Sequence, residues 1–173
     1  MRPVSILMLS TALAMPCRLV AQAHDAGAHA GHAGAHGDSA FHAMQARGQE
    51  VMGVDQYTST HQFLSLPDGG RIELQRDRDD SVGTAAIRAH LRHIAQAFSA
   101  GDFGAPFAVH QEGVPGVPIM RARRATISYD VSDLPRGAAL RIHSGDSVAI
   151  DAIHRFLAYQ RREHHVAPAA RAP

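Results

Sequence analysis

The stretch Thr84–Phe98, TAAIRAHLRHIAQAF, decides how the rest of the chain folds. Ile87, Leu91, Ile94 and Phe98 recur at the spacing of one buried helical stripe. Gly101 offers a left-handed stop, and Asp79, Asp80, Ser81 and Thr84 offer caps at the start. His90 and His93 stand one turn apart on the edge of the stripe. Two imidazoles so placed on a rigid helix either share a metal ion or line a polar edge of the core.

Upstream, residues from Tyr57 alternate as a strand does, with His61 and Phe63 on one side and Gln62, Leu64 and Leu66 on the other. Pro67-Asp68-Gly69-Gly70 is a strong turn, and Arg71 to Gln75 returns with Ile72 and Leu74 on one face. A hairpin therefore feeds the helix. Downstream the order repeats. Ile127, Tyr129 and Val131 share one side of a strand, Leu134-Pro135-Arg136-Gly137 turns, and Leu140 and Ile142 return. Asp146 or Ser147 caps a last helix whose Ile150, Ile153, Leu157 and Gln160 share a side. Gly69-Gly70-Arg71-Ile72-Glu73-Leu74 resembles Gly137-Ala138-Ala139-Leu140-Arg141-Ile142, and the two helices follow at similar distances. The expectation is an α+β domain built from a duplicated β-β-α unit, its antiparallel sheet carrying two helices packed on one face. The repeat equates His90 with Phe156, which marks His90 as at least half-buried.

Between the two units lies DFGAPFAVHQEGVPGVPIM, residues 102–120. Pro106, Pro115 and Pro118, with Gly104, Gly113 and Gly116, predict an irregular loop with no helix. A loop of that length in a compact domain usually has a job, and this one carries His110 and Met120.

The start of the chain has a different character. Arg2, an apolar run from Val4 to Met15 and the small-x-small Ala21-Gln22-Ala23 predict a secretory signal peptide over residues 1–23, too short to span a membrane. Cleavage there removes Cys17, the one cysteine, and leaves neither a disulfide framework nor a thiol nucleophile. The predicted location is periplasmic or secreted. His24 to Asp38, HDAGAHAGHAGAHGD, has no large apolar residue and reads as a disordered, histidine-rich N-terminal arm. A short helix capped by Ser39 completes residues 24–49, the domain occupies residues 50–165, and residues 166–173 form a disordered tail that begins to fray at His164.

All thirteen histidines lie beyond the predicted cleavage site. The formal charge of +1 falls by two when Arg2 and Arg18 leave, so there is no basic footprint for nucleic acid. Tryptophan is absent, which disfavours a base- or sugar-stacking surface. The histidines point to metal. In the arm, His24, His29, His32 and His36 are close enough in sequence to gather on one ion, and the free amino group of a mature His24 adds a chelating nitrogen. In the domain, His61, His90, His93, His110 and Met120 form the predicted folded site. Imidazole with thioether favours copper, with zinc or nickel as the other fits. The plainer alternative is a set of core histidines bonded to backbone carbonyls, with Met120 as filler. His143 and His154 read as surface residues.

No nucleophile elbow, phosphate loop or HExxH motif is present. Asp102 and Glu112 flank His110 as the available acid or base. Asp77, Asp79 and Asp80 read as a helix-capping turn rather than a calcium site.

Met52-Gly53-Val54-Asp55-Gln56, Thr60-His61-Gln62-Phe63, Gly69-Gly70, His90-Leu91-Arg92-His93-Ile94, Gly101-Asp102-Phe103, Pro106, His110, Pro115-Gly116 and Met120 follow one another in an order that resembles a family of short exported bacterial proteins of unknown function. The resemblance covers residues 50 to 165. The family's usual form carries a second histidine where this chain has Gln62, and a short polar motif where this chain has Arg161-Arg162-Glu163-His164-His165. Some members carry an aspartate carbamoyltransferase label, but this chain has neither that enzyme's phosphate loop nor room for two Rossmann-like domains. The resemblance implies no activity and supports the choice of residues.

Three functions follow as expectations. The first is a periplasmic copper-binding protein whose partner is the metal ion, with no nucleic acid, no membrane span and no indicated protein partner. The second is a small exported enzyme or organic-ligand binder with a pocket between the 84–99 helix and the 102–120 loop. The third is a scaffold with incidental histidines. Intact-mass analysis of the exported protein is expected to show a mature chain starting at His24; any other start removes the chelate.

Overall fold

The computed structural model of the chain describes residues 32–53 and 55–164. Helix α1 (His32–Met52) and a 3₁₀ turn (Gln56–Thr58) lead into β1 (Ser59–Leu66) and β2 (Gly69–Arg76). Then come α2 (Ser81–Ser99), α3 (Gly104–His110), α4 (Val117–Ala122), β3 (Ile127–Leu134), β4 (Gly137–Ser144) and α5 (Ser147–Glu163). The four strands form one antiparallel sheet in the order β1-β2-β4-β3. The α+β class is as expected, and both hairpins turn where the Pro-Asp-Gly-Gly and Pro-Arg-Gly signals place them.

Cross-strand partners share a face of a sheet. Phe63 pairs with Ile72, Ile72 with Leu140 and Tyr129 with Ile142, so these residues share one side, while Leu64, paired with Arg71, and Leu66 lie on the other. On that side Leu74, Leu140 and Ile142 join Ile87, Leu91, Ile94 and Phe98 of α2 and Ile153, Phe156 and Leu157 of α5 in one core. Each fully buried aliphatic side chain in it contributes about 1.5–3 kcal/mol. The opposite side carries Arg71, Glu73, Arg141 and His143, with an Arg71–Glu73 ion pair and a contact of 3.3 Å between His143 Nε2 and Asp130 Oδ2. Helices α2 and α5 are each capped by an aspartate: the Asp80 side chain accepts from Gly83 N–H and that of Asp146 from Val148 N–H.

The central β2–β4 pairing is tight at both ends. A Cβ on Gly137 would lie 1.9 Å from the Leu74 carbonyl oxygen, and one on Gly69 would lie 2.2 Å from that of Ile142. The register centres on the Ile72–Leu140 pair, the two positions that the sequence repeat equates.

Two expectations are corrected. Helix α1 starts at His32, inside the stretch read as disordered, and runs through Ser39 and Gly48. Frequent alanines favour a helix there, and its second half is anchored: Met44 and Gln45 are buried, and Arg47 Nε donates to the Val109 carbonyl at 2.7 Å. The 102–120 segment contains two short helices. Pro106 is the third residue of α3 and Pro118 the second of α4. In a first turn the missing N–H has no intrahelical partner to lose, so proline is tolerated. Gln111, with φ of 58°, then closes α3.

Among the described residues no helix is long and apolar enough to cross a membrane. Gly137→Ala is expected to destabilise the protein by about 2–3 kcal/mol through overpacking at the seam. Gly113→Ala, with nothing within 4 Å of its added carbon, is the near-neutral control. Urea denaturation of both variants checks this, and equal midpoints would refute the tight seam.

Candidate functional site

A cavity of about 100 Å³ opens beside the core, where α2, α3 and the end of α5 meet the β1–β2 hairpin beneath Gly48 and Val51 of α1. Its wall is almost wholly apolar, built from Phe63, Leu74, Leu91, Phe98, Val109 and Phe156 among others. Four histidines and one glutamine interrupt it: His61 from β1, His90 from α2, His110 at the end of α3, and Gln160 and His164 from the end of α5.

Local structure explains each placement. His61 alternates with Phe63 onto the inner face of the sheet, and the two rings lie 6.3 Å apart, nearly parallel. His90 is on the edge of the stripe that buries Ile87, Leu91 and Ile94. His110 ends α3, and its Nε2 bonds Gln160 Oε1 at 3.2 Å. The His164 ring stacks on that of His61 at 5.6 Å and meets that of His110 edge-on at 5.4 Å. Behind them the Tyr159 hydroxyl donates to Glu112 at 2.5 Å.

Two polar atoms in this wall are buried and, among the described residues, without a hydrogen-bond partner: His61 Nε2 and Gln160 Nε2. Burial pushes the His61 pKa down to about 4, helped by the nearby His90 and opposed by a backbone hydrogen bond to Ser59. His90 is likewise pushed down to about 4, first by burial and then by His93. Burial also lowers His110, against the Gln160 bond and the carboxylates of Glu163 and Glu112. At neutral pH the imidazoles are uncharged, able to accept or donate a hydrogen bond or to ligate a metal.

The structure thus brings together three of the five predicted folded-site residues, His61, His90 and His110. It does not bring His93 or Met120 to the cavity: His93 is exposed on α2, and Met120 is fully buried in the core. His24 and His29 lie outside the described residues. His32 and His36 fall in the first turns of α1, and their side chains are likewise outside the described part. Among the described residues no group of three or more His, Cys, Asp or Glu side chains is placed to hold one metal ion.

Asp102 and Glu112, the proposed acid or base, are otherwise engaged, Asp102 accepting from Gly104 N–H and Glu112 from Tyr159. Of the two histidines read as surface, His154 is half-buried and bonds the Leu66 carbonyl at 2.9 Å. His164 is the site residue that sequence reasoning missed, by assigning it to a frayed tail. A signal was present. Aligning the helices on their caps, Asp80 with Asp146, sets His164 opposite the core aromatic Phe98.

No family model, curated protein or solved structure matches the chain.

The depressed histidine pKa values make stability depend on pH. Unfolded, His61 and His90 take up protons near 6.5; folded, they resist until about 4. The unfolded state therefore binds more protons in between, and stability falls as pH drops from 6.5 towards 4, by at most ~3 kcal/mol per residue. His90→Phe, which places in α2 the residue that α5 has at Phe156, is expected to flatten that slope in urea melts from pH 7 to 4. An unchanged slope would show that His90 titrates normally.

Proposed function

We propose that this is a ligand-binding protein whose site is the histidine-lined cavity between α2 and α3, taking a small organic molecule rather than turning one over. The supporting observation is the cavity's chemistry: an apolar wall interrupted by neutral imidazoles, the pattern of a site that holds an apolar body and orients it by a few polar contacts. The acid and base offered by the sequence are bound to other groups, so nothing in the wall favours catalysis over binding. Export by the predicted signal peptide places this activity in the periplasm or outside the cell. In the same proposal the two hairpin–helix units descend from one duplicated unit with both helices over one face. The resemblance to exported bacterial proteins of unknown function belongs to this reading too.

A metal ion, copper first, is the second reading. It is favoured by the His61 and His110 rings, each within 5.6 Å of His164 and uncharged at neutral pH. The arm histidines His24, His29, His32 and His36 would then capture ions ahead of the cavity. Side-chain movement is needed to close three imidazoles on one ion.

Small uncharged aromatic and aliphatic compounds are expected to bind saturably and to shift the imidazole resonances of His61, His90 and His110. Ala105→Leu, which fills the cavity wall, is expected to abolish those shifts without loss of fold. Parallel titrations with copper and zinc decide between the readings: tight metal binding lost in His61→Phe, with no organic binding, replaces the first by the second.

A further inference from the structure

We infer that the cavity recognises an uncharged hydroxyl compound of about one ring's size, a phenol-like molecule, whose hydroxyl bridges His61 and Gln160. This rests on the cavity being an organic-ligand site and adds what the ligand must carry. Buried polar groups in folded proteins are nearly always hydrogen-bonded, and leaving one unsatisfied is costly. Here two residues lining one small apolar cavity each have a buried atom without a partner among the described residues, His61 Nε2 and Gln160 Nε2, while the other end of the Gln160 amide is committed to His110.

Their chemistry is complementary. The bond with the Ser59 backbone favours a proton on the other nitrogen of the His61 ring, which leaves Nε2 with its lone pair. Gln160 Nε2 carries hydrogens to donate. A hydroxyl donates to the first and accepts from the second with a single oxygen. A ketone or ether lacks the donor. A carboxylate needs a cation beside it, and His61, His90 and His110 are uncharged at neutral pH. The rest of the ligand must be apolar to match Phe63, Leu74, Leu91 and Phe98. Benzene occupies an apolar cavity of about 150 Å³ in another protein. The space here, about 100 Å³ and partly open to solvent, limits the body to about one ring that reaches into the mouth.

The test is calorimetric titration of the full mature protein at pH 7.5 with phenol, benzene and benzoate. Phenol is expected to bind at least about tenfold more tightly than benzene, the size of one buried hydrogen bond's contribution, and benzoate more weakly than phenol. His61→Phe is expected to bring phenol down to the benzene affinity while leaving benzene unchanged. Because the comparison of probes is made first on the unaltered protein, it stands even if the variant fails to fold. Benzene binding as tightly as phenol, or benzoate binding most tightly, overturns the hydroxyl inference and leaves the organic-ligand reading in place. Failure of all three probes to bind at millimolar concentration overturns both.

Discussion

The two hairpins meet along β2 and β4, and this seam depends on two residues that have no side chain. Gly137 lies against the Leu74 carbonyl and Gly69 against that of Ile142. Any larger residue would push a strand away from its neighbour and open the ladder that runs from Gly69–His143 to Gln75–Gly137. Without that ladder each hairpin would have a single helix and half a core, which is marginal in water. With it, four strands present one continuous apolar face, and α2 and α5 bury Ile87, Leu91, Ile153 and Leu157 in a common interior.

The cavity is a consequence of where that common interior ends. Near the start of β1 and the end of α5, the aromatic and aliphatic layer gives way to imidazoles and an amide, and α1 and α3 close over them. Arg47 reaches from α1 to the Val109 carbonyl and so ties the cover to the cavity's edge. Polar side chains in such a place weaken the fold. His61 and His90 resist protonation there because the charged form would lose its hydration, and His61 Nε2 has no compensating bond among the described residues. An apolar residue would serve the core better at either position, as the buried Phe156 of α5 does beside them. Where a sequence departs from local consistency in this way, function is the usual reason.

Position within a helix also changed the meaning of proline. Pro106 and Pro118 predict irregular chain when weighed only as helix breakers, yet both lie in first turns, where the absent N–H removes no helical bond. The resulting short α3 carries His110 inward to Gln160, which an irregular loop has no regular means of doing. Similarly, the alanines near His32 and His36 extend α1 beyond Ser39.

The sequence by itself determined the class of fold, both hairpin turns, the two capped helices and which residues of each strand share a face, because periodicity, turn chemistry and capping act over a few residues and need no knowledge of neighbours. It also marked His61, His90, His93, His110 and Met120 as one candidate site, since each stands beside apolar residues, although it placed His110 and Met120 on an irregular loop. Only the tertiary structure decided which of them meet. Met120 has the same local surroundings as His110 but packs into the core, and His93, three residues from His90, is turned to solvent. His164 stands at the end of α5, and only the crossing of that helix over β1 stacks its ring on His61. Convergence of this kind depends on the lengths and crossing of elements far apart in the chain, and no short stretch of sequence records it.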